Sequence, residues 1–208
     1  MANQYTFTDP TKLYSEIEPN SDDQTEPGLD AKLRDTADLG ESTYEGSGRL
    51  KGRRALVTGG DSGIGAATAI AFAREGADVA LAYLPEEQED ADRITAIAQD
   101  AGVNVVQLPG DLTDEKYVKG LADAAVAKLG GLDILVNNAG KQIYNEDLTT
   151  LTSEQFDETF KVNVYAMFEI SKAAIPHLPP GSTIINTTSI QAYSPAPILV
   201  DYASTKAT

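Results

Sequence analysis

Tyr202 and Lys206 stand four residues apart in Tyr202-Ala203-Ser204-Thr205-Lys206, and Ser189 lies 13 residues before the tyrosine. On a helix, positions four apart share one face. A phenol is almost wholly protonated at neutral pH, and an adjacent ammonium favours its ionised form. Such a pair can exchange a proton with an alcohol or carbonyl oxygen, and a serine hydroxyl can hold that oxygen by a hydrogen bond. Taken alone, however, a Tyr and a Lys at this spacing read as an ordinary contact on an amphipathic helix. Their meaning depends on what accompanies them.

A second chemical feature is Thr58-Gly59-Gly60-Asp61-Ser62-Gly63-Ile64-Gly65. Glycine is needed where a backbone turns sharply, approaches a pyrophosphate or lets helix and strand touch. A helix beginning there offers free N–H groups and a partial positive charge to an anion. The loop follows an apolar run, Ala55-Leu56-Val57, and precedes an alanine-rich stretch from Ile64 to Glu75 that Gly76 stops. A glycine-rich loop in the first strand-to-helix turn of an α/β chain points to nucleotide binding.

The elements that must position these groups alternate along the chain. Strands are expected at Ala55–Val57, Asp78–Tyr83, Val103–Leu108, Leu132–Val136 and Thr183–Thr187. Helices are expected over Ile64–Glu75, Glu86–Ala101 and Asp114–Leu129 with Thr113 as cap. A further long helix should run from a Thr152/Gln155 capping box to Ile175. Strands alternating with helices of ten or more residues imply right-handed crossovers and a parallel sheet covered on both faces. The expected fold is therefore α/β, a doubly wound Rossmann-like sheet whose ligands sit beyond the carboxyl ends of the strands. Each unusual motif falls at such an end or on the helices beside it.

Three more motifs complete the pattern: Asn137-Asn138-Ala139-Gly140 after the fourth strand, Asn163 within Lys161-Val162-Asn163-Val164, and Asn186-Thr187-Thr188-Ser189 after the fifth. Together with the glycine loop and Tyr202/Lys206, they resemble the short-chain dehydrogenase/reductase family from about Leu50 to the last residue. The acidic N-terminal segment further resembles a bacterial branch described as general-stress or glucose/ribitol-dehydrogenase-like. The resemblance implies an oxidoreductase moving a hydride between a nicotinamide cofactor and an alcohol or carbonyl substrate. It assigns catalysis to Ser189, Tyr202, Lys206 and Asn163, the last by holding a water beside Lys206. It assigns cofactor contacts to Gly59, Ser62, Gly63, Ile64, Gly65, Tyr83, Asp111, Leu112, Asn138, Ala139 and Gly140, with Tyr202 and Lys206 also on the nicotinamide ribose. Read without the resemblance, Asn163 is a polar residue bending a helix, Asn138 a turn former and Asp111 a turn aspartate. His177, beside Pro176 at a helix end, reads as a cation near the helix dipole.

Cofactor choice is expected to depend on the end of the second strand, where an Asp would take ribose hydroxyls and an Arg a 2′-phosphate. Tyr83-Leu84-Pro85-Glu86-Glu87 supplies neither, and Glu86 and Glu87 would repel a phosphate, so NAD is expected over NADP. Gln142, Ile143, Tyr144 and the stretch Ile190–Pro197 are expected beside the substrate, with a small polyol or carbonyl compound compatible with Gln142, Gln191 and Tyr193. Two rivals share the fold: a catalytically silent nucleotide-binding relative, against which the intact Ser189, Tyr202 and Lys206 count, and a nucleotide-sugar epimerase, whose loop is typically Gly-x-x-Gly-x-x-Gly.

Composition bounds the rest. The 208 residues contain no cysteine and one histidine, so neither a disulfide framework nor a Cys- or His-based metal centre is expected. The formal net charge of −16 argues against nucleic acid or anionic lipid as partners. No apolar run is long enough to span a membrane, and residues 1–20 lack a signal-like apolar region, which leaves a cytoplasmic protein as the expectation. Residues 1–48 hold 11 acidic against 3 basic residues and no sustained apolar period. They are expected to form an extended or disordered arm, on which Tyr5, Phe7 and Tyr14 could pin it to a neighbouring surface. Residues 49–208 are expected to form the dinucleotide-binding catalytic domain, truncated at its C-terminus. The last residue, Thr208, comes two after Lys206, whereas the family resemblance implies several tens of further residues carrying a sixth strand, a substrate loop and a seventh strand. On that reading the 208 residues alone are not a competent enzyme, and the intact protein is a homo-oligomer.

Overall fold

The computed structural model describes residues 3–9, 11–12, 24–33 and 36–208. Five strands, β1 (Arg54–Thr58), β2 (Asp78–Tyr83), β3 (Val105–Pro109), β4 (Ile134–Asn137) and β5 (Thr183–Asn186), form one sheet in the order β3-β2-β1-β4-β5. Every pairing is parallel, with Leu56 opposite Ala80 on one side and Leu135 on the other. The order reverses between β1 and β4, which opens a crevice at their carboxyl ends.

Alternation along the strands explains the two apolar layers. Ala55, Val57, Val79 and Leu81 pack on one face against Ile70 of α1 (Gly63–Arg74) and Ile94 of α2 (Gln88–Gln99). Leu56, Ala80 and Leu135 pack on the other against Leu121 of α3 (Glu115–Leu129) and Ile170 of α5 (Ala166–Ala174). Burying each of the Val, Leu and Ile side chains among them contributes about 1.5–3 kcal/mol. Central strands are apolar on both faces, as a doubly covered parallel sheet requires. β5, at the edge, is exposed throughout.

Several boundaries differ from the sequence expectation for local reasons. Asp114, not Thr113, caps α3: its carboxylate accepts from the N–H groups of Lys116 and Tyr117, whereas Thr113 donates its own N–H to Asp111. The helix expected from Glu86 begins as a 3-10 turn, Pro85–Glu87, before α2. The Thr152/Gln155 box is half made. Thr152 accepts from Gln155 N–H at 3.1 Å, but the Gln155 side chain turns away to Asp201 and Asn145.

The largest difference lies in the long helix. It is α4 (Ser153–Phe160), then a π-helical turn over Lys161–Tyr165, then α5 and a 3-10 turn at Ile175–His177. The wider turn is centred on Asn163, which is 5% exposed. At the end of the 3-10 turn, His177 Nε2 lies 2.7 Å from Asp123 of α3, so its partner is a carboxylate rather than a helix end.

The described part of the N-terminal arm has one 3-10 turn, Asp30–Lys32, and is otherwise irregular. Leu39 is 8% exposed and belongs to the core beside α1 and α2, so packing crosses the boundary drawn at residue 48. Tyr44 and Arg49 both reach Glu75, at 2.6 and 2.9 Å. Tyr5 and Phe7 are exposed, while Tyr14 lies outside the described residues.

Candidate active site

The first strand-to-helix turn is built on positive-φ glycines, Gly59 at 61° and Gly63 at 50°, a conformation that side chains with a Cβ rarely adopt. The N–H groups of Gly59 and Gly60 both point to the Ala82 carbonyl at the end of β2, at 2.8 and 3.2 Å. A Cβ on Gly65 would sit 1.7 Å from the Gly59 carbonyl oxygen and 2.7 Å from Asn138 Nδ2. That contact forces α1 against the loop and leaves its N-terminus open to the cleft.

Thr58 and Asn138 lock this loop to the next strand. The Thr58 hydroxyl accepts from Asn138 N–H at 2.9 Å and Ala139 N–H at 3.1 Å. Asn138 Nδ2 donates to the carbonyls of Thr58 and Gly59, and its Oδ1 accepts from the Thr187 hydroxyl at 3.2 Å. Asn138 thus ties the ends of β1, β4 and β5 together.

A cleft of about 910 Å³ opens between these ends. Gly59, Ser62, Ile64, Tyr83, Asp111, Leu112, Asn138, Ala139, Gly140, Tyr202 and Lys206, all singled out from the sequence, line it. Within the group, Tyr83 is 4% exposed and its hydroxyl sits 2.8 Å from Gln88 and 3.1 Å from Gln107, so the side chain serves the core. Asp111 spends one carboxylate oxygen on a turn, accepting from Thr113 N–H at 2.7 Å.

At the far end of the cleft, α6 (Val200–Ala207) carries Tyr202 and Lys206 on one face, with Lys206 Nζ 5.6 Å from the tyrosine ring centroid. Lys206 is half-buried and donates to the Thr187 carbonyl at 2.8 Å. Burial holds its ammonium below the ordinary lysine value. Ser189 follows β5 and caps the turn Ile190–Ala192, accepting from Gln191 N–H at 3.2 Å. It is not among the residues lining the cleft with Tyr202.

Asn163 accepts from Lys141 N–H at 2.7 Å and donates to the Lys141 carbonyl at 2.9 Å and Thr205 at 3.0 Å. Its place in a π turn explains this reach, because an inserted residue re-aims a side chain that a regular helix would present elsewhere.

Sequence reasoning missed Asp201, which is fully buried beside Tyr202. Its carboxylate accepts from Gln155 Nε2 at 3.1 Å, the Thr159 hydroxyl at 2.8 Å and Tyr202 N–H at 2.8 Å. α6 is thereby clamped to α4. The only signal in the sequence was an aspartate in an otherwise apolar first turn. Lys141 was also missed. It pairs with Glu158 and with Glu26 of the arm, both at 2.9 Å, in the wall of the cleft. Among the described residues, no His, Cys, Asp and Glu cluster is arranged to hold a metal, and no helix is long and apolar enough to cross a membrane.

Comparison with known proteins accounts for this arrangement. The family model described as short chain dehydrogenase matches residues 53–208. The chain is 56% identical over 199 residues to the uncharacterized oxidoreductase YghA of Escherichia coli, covering 96% of this chain and 68% of that protein. A Burkholderia cenocepacia short chain dehydrogenase solved in complex with NADP superposes with a TM-score of 0.71 at 40% identity, over 76% of this chain and 64% of that one. NAD+-bound xylitol dehydrogenase gives 0.70 at 29% identity, over 76% and 61%. The chain spans about two thirds of the length of the relatives it matches. With the family model matching residues 53–208 and a relative 56% identical across 96% of this chain, the protein belongs to the short-chain dehydrogenase family.

Proposed function

We propose that the intact protein transfers a hydride between a nicotinamide cofactor and a small alcohol or carbonyl substrate, with Tyr202 as acid/base. The observation carrying this is the continuity of one cleft from the glycine loop to Tyr202 and Lys206. The residues fit the cofactor, since Gly59, Gly63 and Gly65 leave the loop without side chains where a pyrophosphate must approach the α1 N-terminus. When bound, the nicotinamide supplies or receives the hydride. Tyr202 gives or takes the proton at the substrate oxygen, and Lys206, held by the Thr187 carbonyl, keeps a positive charge over the tyrosine ring. Ser189 steadies the same oxygen. Asn163 positions the Lys141 backbone and, through Thr205, the helix carrying the lysine.

NAD is the favoured cofactor on the acidic stretch Glu86–Glu87 beyond β2, and a small polyol or aldehyde is the favoured substrate class. Exposed Tyr165, Phe168 and Ile175 on one helical stretch support a homo-oligomer. The test is a scan of the intact protein with NAD+ or NADH against polyols, sugars and aldehydes, repeated with Tyr202→Phe. The variant should keep its cofactor affinity and lose turnover by about three orders of magnitude or more. Turnover within a few-fold of the parent removes Tyr202 from the chemistry.

A further inference from the structure

Residues 26–31 of the arm cross the cleft from one wall to the other. At one wall Glu26 pairs with Lys141 Nζ at 2.9 Å, and Glu26, Pro27 and Gly28 themselves line the cleft. At the other, Asp30 and Ala31 donate their N–H groups to the two carboxylate oxygens of Asp90, at 2.6 and 3.0 Å. Asp90 belongs to α2 and is fully buried. Gln24 braces the segment between these anchors, accepting from Leu29 N–H at 2.9 Å and donating to the Leu29 carbonyl at 3.0 Å. A loop closed on itself in this way moves as one piece.

The Asp30 side chain has a different destination from its backbone. Its Oδ2 accepts from Gly63 N–H, the first of α1, at 3.3 Å, and Arg93 lies 3.7 Å from the same oxygen. The Gly63 N–H has no acceptor within its helix. It belongs to the helix end at which an anion is best stabilised. A carboxylate of the arm therefore sits where the glycine loop would take a phosphate.

We propose that residues 26–31 form a strap that closes the cleft, with Asp30 holding the place of a cofactor phosphate at α1, and that a dinucleotide binds by displacing it. The inference rests on the dinucleotide reading of the cleft given above. A carboxylate and a phosphate repel at this range, so they cannot share the α1 N-terminus. Neither anchor is left stranded when the strap lifts. Lys141 keeps Glu158 at 2.9 Å, and water reaches Asp90 in place of its two backbone donors, which makes the exchange of hydrogen bonds nearly balanced. The strap is thus an autoinhibitory contact that lowers cofactor affinity by the share of the protein it holds closed.

The experiment pairs amide exchange with fluorescence titration of NADH and NADPH on the intact protein. Saturating cofactor should speed exchange at Asp30 and Ala31, whose N–H groups leave Asp90, while exchange in β1 stays unchanged. Asp30→Ala and Glu26→Gln loosen the strap at opposite ends, and each should tighten both cofactors by about five-fold or more. Slower or unchanged exchange at Asp30 and Ala31 in the saturated protein overturns the strap. It does so even if the variants bind more tightly, because loss of a negative charge near the phosphates would have that effect alone. Unchanged affinity in both variants overturns it as well. In either case saturable binding of a cofactor leaves the dinucleotide reading standing. Binding of neither cofactor, by the parent or by either variant, removes that reading and the strap's role with it.

Discussion

Glu87 shows how a single side chain can tie the cofactor cleft to pH. Its carboxylate accepts from Leu84 N–H at 3.1 Å, yet it is pushed up from 4.5 to about 7, first by burial and then by the charges of Asp61, Asp90 and Glu86. The folded protein therefore holds this proton more tightly than the unfolded chain does. Its contribution to folding is fully present below the ordinary carboxylate value and is lost as pH rises through about 7. Glu87→Gln keeps an acceptor for Leu84 and removes the titration. Thermal unfolding should place the variant level with the parent at pH 4 or below and above it at pH 8, by on the order of 1 kcal/mol or roughly 2–4 °C. Equal offsets at both pH values would show that Glu87 does not feel these neighbours.

Among the elements, α6 matters most to the chemistry and owes its place to α4 more than to the sheet. The Asp201 carboxylate joins Gln155, Thr159 and the Tyr202 N–H, of which the Thr159 hydroxyl also reaches the Gln155 carbonyl at 2.9 Å. Asp201→Ala should cost about 2–4 kcal/mol on denaturant unfolding, because it strands buried donors. It should also lower kcat more than it raises KM, because Tyr202 loses its fixed position while the glycine loop is untouched. Loss confined to KM would place Asp201 outside that positioning role. This clamp also marks where sequence reading stops. The strands, the glycine loop and the Tyr202/Lys206 pair were legible because each is written within a few residues: an apolar run, a positive-φ glycine, an i,i+4 spacing. Asp201, Lys141 and the half-made Thr152 box were not, because their partners lie 17 to 115 residues away in sequence, or because Gln155 had a stronger competitor for its side chain. The π turn escaped for another reason. Lys161-Val162-Asn163-Val164-Tyr165 has the composition of an ordinary helix, and only the contacts of Asn163 show that it is not one.

Across the whole molecule, the described part of the arm is held by Leu39 in the core and by polar contacts at widely separated places. Glu26 reaches Lys141 in the cleft wall, the N–H groups of Asp30 and Ala31 donate to Asp90, and Tyr44, Ser47 and Arg49 converge on Glu75. Donation from Tyr44 first, then from Arg49, holds the buried Glu75 carboxyl well below the usual carboxylate range. The stability it contributes is present above the ordinary carboxylate value and is lost as pH falls below it. Glu75→Gln should therefore release the segment around Tyr44 at neutral pH, read as faster amide exchange at Ser47 and Arg49, while exchange in β1 stays unchanged. Unchanged exchange at both residues would show that Glu75 is not the anchor. The five-residue π turn has a consequence for insertions and deletions. A turn closed by the Ala166 N–H on the Lys161 carbonyl holds one residue more than a regular helical turn. Deleting Val164 would therefore let α4 and α5 run on as one regular helix with the turns on either side in nearly the same register. Asn163 would lose the wider turn that aims it at Lys141 and Thr205, so a chain one residue shorter would keep its sheet and core while losing a polar link to the helix that carries its tyrosine.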